Sequence, residues 1–328
     1  MNRRTFVLTV GSGLLAAPGV ARAQGRKAAR VGWVGAWYSR EGAATFLDAF
    51  RQGMRERGYI EGQNLTIDAR WMESASADEA AGLTAELVRS KVDVLVAAGA
   101  SIFGVKAAAG SVPVVFGYSG DPVAAKLVAS LARPGGNLTG VTFLTLELAG
   151  KRVELLKEAA PRTSRLAILF NPLHIGEEEA VRESQAATQR LGLELQPFAV
   201  HSLAEVTAAL DTMARGRING VVALPNSLIM SQRNAIAEFA VRHRVPTMSG
   251  WEDFAIVDGN LMTYGPNLQE AWRHLATLVD KVLKGAKPDD LPVERPTTYQ
   301  LIINLRTAKT LGLTIPRSLL LRADRLIQ

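Results

Sequence analysis

From residue 29 to the end of the chain, short apolar runs alternate with longer amphipathic segments. The apolar runs "ARVGWVGAW" (29–37), "NLTIDARWM" (64–72), "VDVLVAAG" (92–99), "VPVVFGY" (112–118) and "NLTGVTFL" (137–144) read as strands. A second series follows at "SRLAILFN" (164–171), "LELQPFAV" (193–200), "INGVVALPN" (218–226), "VPTMSG" (245–250), "NLMTYG" (260–265) and "TYQLIINL" (298–305). Helical periodicity fills the gaps at 44–58, 78–90, 146–159, 177–191, 202–214, 231–243 and 267–284. Strands that alternate with helices predict parallel sheets covered by helices on both faces, and uninterrupted apolar strands fit burial from both sides. The two series are each the size of one doubly wound lobe, so the expected architecture is α/β with two lobes. "RPGGNLTG" (133–140) is a strong turn signal, and the first crossing between lobes is expected just after it. Residues 260–284 would return to the first lobe and 298–328 to the second, giving three hinge crossings. The expected division is 24–140 with 252–290 for the first lobe, and 141–251 with 291–328 for the second.

The first 23 residues are set apart from this pattern. Arg3 and Arg4 precede a short apolar stretch broken by Gly and Pro, and Ala21-Arg22-Ala23 follows. That is the form of a cleavable export signal, too short and too interrupted for a membrane span. The arginine pair before Thr5 and Phe6 points to the twin-arginine route, with Sec as the alternative. Cleavage near Ala23 would lower the formal net charge from +7 to +4. So small an excess, with no long Lys/Arg run, argues against nucleic acid as a partner. The chain has no cysteine, which removes disulfides, thiolate nucleophiles and cysteine metal sites. The four histidines lack metal-ligand spacing, and "AAGASIFG" lacks a phosphate-binding pattern. Neither metal nor nucleotide cofactor is expected.

Two longer stretches, "GDPVAAKLVASLARPGGNLTGVT" (120–142) and "ERPTTYQLIINLRTAKTLGLTIPRSLLLRADRLI" (294–327), resemble the substrate-binding proteins of a family of ABC importers associated with tryptophan or tyrosine transport. "GYIEGQNLTIDARW" (58–71) and "VDGNLMTYGPN" (257–267) extend the likeness over nearly all of the expected mature chain. The resemblance implies a type I periplasmic binding protein: two α/β lobes, three hinge crossings and a small molecule held between them. It also implies a membrane permease as partner. The protein is expected in the periplasm, as a monomer without a lipid anchor.

Ligands of open α/β sheets bind beyond the carboxyl ends of the strands. Those ends carry Trp37, Tyr38 and Ser39; Ser101; Tyr118, Ser119 and Asp121; Asn171; Asn226; Trp251; and Tyr264. The aromatic residues among them suit stacking on a planar or apolar ligand. Ser101 and Ser119 suit an anion at a helix start, or ordinary capping. Asp121, before Pro122, suits a helix cap or a ligand ammonium. His174 could reach the cleft, while Glu177, Glu178 and Glu179 read as structural carboxylates opening a helix. An aromatic or apolar amino acid, or a similar small carboxylate, is the expected ligand. The alternatives are an exported sensor for a membrane receptor and an exported serine hydrolase using Ser119. The hydrolase lacks the full G-x-S-x-G elbow and an evident histidine with an acid partner.

Overall fold

The computed structural model describes residues 28–36, 40–73, 76–143 and 146–328. The expected export signal and the segment holding Trp37, Tyr38 and Ser39 lie outside the described residues. The first sheet is built from β1 (Ala29–Ala36), β2 (Leu65–Met72), β3 (Val94–Ala98), β4 (Val114–Tyr118) and β5 (Leu138–Thr142). Its order is β2-β1-β3-β4-β5, with all neighbours parallel. Every residue of β3, β4 and β5 is buried, as continuous apolar strands under two helical layers require. The helices of this part are α1 (Arg40–Glu56), α2 (Ala77–Arg89) and α3 (Ile102–Ala108).

The second sheet contains β6 (Arg165–Phe170), β7 (Glu194–Ala199), β8 (Gly220–Ala223), β9 (Thr247–Ser249), β10 (Met262–Pro266), β11 (Tyr299–Asn304) and β12 (Arg325–Ile327). They run in the order β12-β11-β10-β9-β8-β6-β7, and only the β10–β11 pair is antiparallel. Around it stand α4 (Ala149–Ala159), α5 (Glu177–Arg190), α6 (Leu203–Arg215), α7 (Ser227–Ser231), α8 (Arg233–His243) and α9 (Glu252–Ile256). The chain continues through α10 (Leu268–Leu283), α11 (Leu305–Leu311) and α12 (Arg317–Arg322).

The core of the second sheet repeats the first: β7-β6-β8-β9-β10 has the winding of β2-β1-β3-β4-β5. This explains a departure from the sequence reading. The strand near 260–265 was expected in the first lobe, but β10 is held in the second sheet between β9 and β11. It is the counterpart of β5, and the chain leaves the lobe after it. After it α10 returns to the first lobe, where it packs along α1 so tightly that a Cβ on Gly53 would lie 2.2 Å from the Arg273 carbonyl. Trp272 of α10 enters the first core, with ring centroids 5.1 Å from Trp33 and 5.4 Å from Phe143.

Three crossings join the lobes. One leaves β5 after Phe143 and enters α4, the second joins β10 to α10, and the third runs from Leu291 to Thr298. The third lies against β5: Thr142 N–H donates to the Glu294 carbonyl at 2.9 Å, and Thr139 Oγ1 donates to that of Leu291 at 2.8 Å. His274 of α10 bonds Glu294, and Arg295 reaches Glu147 of the first crossing at 3.4 Å. The hinge is thus a laced strip rather than three independent strands.

Candidate ligand-binding cleft

The carboxyl ends of both sheets meet where the lobes touch. A Cβ on Gly120, after β4, would come within 2.8 Å of the Ile175 carbonyl of the opposite lobe. One on Gly99, after β3, would stand 3.9 Å from Ser227 Oγ at the start of α7. The loops after β4 and β6 are therefore already in contact.

The loop 171–176 is folded by Asn171. Its Oδ1 accepts from Leu173 N–H at 3.0 Å, and its carbonyl accepts from His174 N–H at 2.9 Å. Gly176 then takes φ of 100°, a left-handed geometry that favours glycine, and α5 begins. The turn drops Glu177 into the protein interior with no exposed surface. Its carboxyl accepts from Asn171 N–H at 2.6 Å and from Asn226 Nδ2 at 2.7 Å. His174 Nδ1 stands 3.3 Å from Glu177 Oε1, and His174 Nε2 is 2.9 Å from Ser119 Oγ of the first lobe. The Tyr118 ring lies 5.7 Å from the imidazole, at 30°. Burial pushes His174 down to about 4 and Glu177 up to about 8, the latter despite two donors that favour the anion.

This chain of contacts corrects the expectation that Ser119 lacks a histidine and acid in reach. The arrangement nevertheless differs from a working triad. His174 Nδ1 has no aligned hydrogen bond to Glu177, and an imidazole held near 4 is a weak base at neutral pH. The reading of 177–179 as structural carboxylates opening a helix describes α5, with a difference among the three: Glu178 and Glu179 are exposed, whereas Glu177 is buried and holds Asn226.

The other sequence candidates fall into distinct settings. Ser101 is fully buried and turns its hydroxyl back to the Val34 and Ala98 carbonyls at 2.8 and 3.0 Å, making no capping bond. Asp121 caps its own turn, accepting from Val123 and Ala124 N–H at 2.8 and 3.2 Å. Tyr118 is 1% exposed and packs edge-on against Phe103, so its ring belongs to the first lobe's core. Asn226 Oδ1 caps α7 through Ile229 N–H at 2.9 Å while its amide holds Glu177. Trp251 follows β9 and packs into the core cluster of Leu228 and Phe254. Tyr264 is half-buried on β10, packed with the opposite sheet face, its ring 6.3 Å from Tyr299. Trp251 and Tyr264 thus lie in one lobe on different faces of its sheet rather than facing each other across the cleft.

Sequence reading missed Arg152. It is fully buried on α4, donates Nε to the Tyr264 carbonyl at 2.9 Å, and lies on Gly250, where a Cβ would meet Nη2 at 2.5 Å. Burial pushes it down to about 9, and neither Nη atom has a hydrogen-bond partner. Its one side chain thus braces the backbone under both Trp251 and Tyr264. A groove of about 820 Å³ opens at the edge of the lobe contact. Its walls are Asp121 and Ala124, Glu147 of the first crossing, His174, and the carboxylates Glu178, Glu179 and Glu183 beside Arg182.

Two lobes of the same winding with apposed strand ends and a laced three-crossing hinge define a bilobal solute-binding protein of the type I periplasmic class. The comparisons agree. Residues 34–327 match the model of the ABC transporter substrate binding protein family, and the chain belongs to that family. It is 24% identical over 268 residues to a tyrosine-binding protein of Clostridioides difficile, covering 80% of this chain and 75% of the relative. A Streptococcus pneumoniae ABC domain solved in complex with L-Trp is 26% identical, with a TM-score of 0.82 over 91% of this chain and 99% of that one. A conserved domain protein of Vibrio cholerae is 25% identical, with a TM-score of 0.83 over 92% of this chain and all of that one. Among the described residues no helix is long and apolar enough to cross a membrane.

Proposed function

We propose that the protein works in the periplasm, captures an aromatic amino acid between its lobes and delivers it to the permease of an ABC importer. The observation that carries this reading is the pair of apposed strand-end surfaces with a three-crossing hinge behind them. The similarity to a tyrosine-binding protein and to an L-Trp complex supports the ligand class. The proposed aromatic contacts are Trp37 and Tyr38 from the first lobe, and Tyr264, Tyr299 and the edge of Trp251 from the second. Ser101 and Asp121 serve the backbone instead, since their polar atoms are engaged within the first lobe.

A thermal-shift panel tests the reading. L-tryptophan, L-tyrosine, L-phenylalanine, L-leucine, aromatic acids, nucleosides and sugars are each added to the mature protein. A ligand at 100 times its Kd stabilises the fold by about 2.7 kcal/mol. Stabilisation by aromatic amino acids alone is the expected outcome; stabilisation only by sugars or nucleosides overturns the ligand class.

A further inference from the structure

The hydrogen bond between Ser119 and His174 crosses from one lobe to the other. Each partner is prepared by its own lobe. Ser119 stands between the buried Tyr118 and Gly120, and the missing side chain at Gly120 lets the Ile175 carbonyl approach. His174 is set by the Asn171 turn, with its ring beside Tyr118 and its Nδ1 toward Glu177. Glu177 is pinned in turn by Asn171 and Asn226. Neither Ser119 nor His174 is needed to explain how either lobe folds.

We propose that Ser119 and His174 form a latch that holds the lobes shut. The latch deepens the binding-protein reading, because it sets how long a captured molecule is retained without requiring contact with it. It exists only in the closed arrangement, so it contributes to closure and to slow release. Closure buries the imidazole, and opening returns it to water. A buried histidine resists the proton that an exposed one accepts near pH 6.5, so the latch holds above that value and weakens as pH falls toward about 4. The titratable and charged groups around it are Tyr118 and Asp121 from the first lobe, Glu147 from the crossing, and Glu177, Glu178, Glu179, Glu183 and Arg182 from α5. Burial is what keeps the imidazole neutral among them.

The chain's lack of cysteine makes the test clean. Cysteines introduced as Asp78→Cys in the first lobe and Ala186→Cys in the second carry spin labels that report the distance between lobes. In the unliganded protein, distances should lengthen as pH is lowered from 7.5 to 4.5. Ser119→Ala should already be lengthened at pH 7.5 and respond little to pH. L-tryptophan should leave Ser119→Ala and His174→Ala about two to ten times faster than wild type, the worth of one neutral hydrogen bond. The double variant should be no worse than the more affected single one. A full pH response retained in Ser119→Ala, or additive losses in the double variant, overturns the latch. Failure of L-tryptophan to bind would count against the amino-acid reading, while the unliganded distances still decide the latch.

Discussion

Single residues carry two different kinds of consequence here. Glu177 and His174 tie stability to pH in opposite directions. Glu177 is raised from 4.5 to about 8, so the folded state holds its proton more tightly than the unfolded chain, and stability falls as pH rises through that window. His174 is lowered from 6.5 to about 4, so its contribution is lost as pH falls between those values. The two slopes cancel between about pH 4.5 and 6.5. Urea midpoints should therefore be flat there and decline toward pH 8, by about 2 kcal/mol on the alkaline side. A midpoint that rises steadily from pH 6.5 to 8 would contradict the burial of a protonated Glu177. Tyr264 is the cleaner probe of the cleft: Tyr264→Ala should weaken binding of the best ligand by about 1–3 kcal/mol in a calorimetric titration. Trp251 is a core side chain, so Trp251→Ala should lower stability by about 3–5 kcal/mol as well, seen as a lost thermal midpoint. The strand ends were legible as a place, because apolar runs stop where polar and aromatic residues begin. The partners were not. Nothing local marks Ser119 and His174 as a pair, since they lie 55 residues apart in different lobes.

At the scale of elements, the missed charges had a trace in the periodicity. The buried residues of α4 are Ala149, Arg152, Val153, Leu155, Leu156 and Ala159, so Arg152 falls on the apolar face where an arginine is out of place. Glu177 likewise starts the buried face that continues through Ala180, Ser184 and Ala187. A charge on the inward stripe signals a tertiary partner. Arg152→Met keeps the volume without the buried charge and should leave the thermal midpoint unchanged or higher, whereas Arg152→Ala opens a cavity and should lower it. A marked loss with Met would show that the Nε bond to Tyr264 outweighs the cost of burying the charge. The boundaries of the long helices were legible because their amphipathic faces are unbroken: 177–191 was expected and Glu177–Arg190 is observed. The allegiance of β10 was not, because a short buried strand looks the same in either sheet. Its place follows from pairing with β9 and β11, which is a tertiary fact.

The whole molecule is two copies of one winding joined by a hinge, and the proposed function requires the angle between them to change. The first core is completed by α10, which the chain can supply only after the second sheet is largely built. Among the described residues the polar contact across the cleft is that of Ser119 with His174, so separation of the lobes exposes little that is unpaired. A ligand that touches both lobes binds the closed form better and shifts the population toward it. Small-angle scattering on residues 24–328 carrying Ser119→Ala, which lacks the latch, with and without saturating L-tryptophan at pH 7.5, measures that shift directly. A smaller radius of gyration and a curve matching the closed arrangement are predicted with ligand; identical curves under conditions where calorimetry shows the site filled would contradict capture by lobe closure.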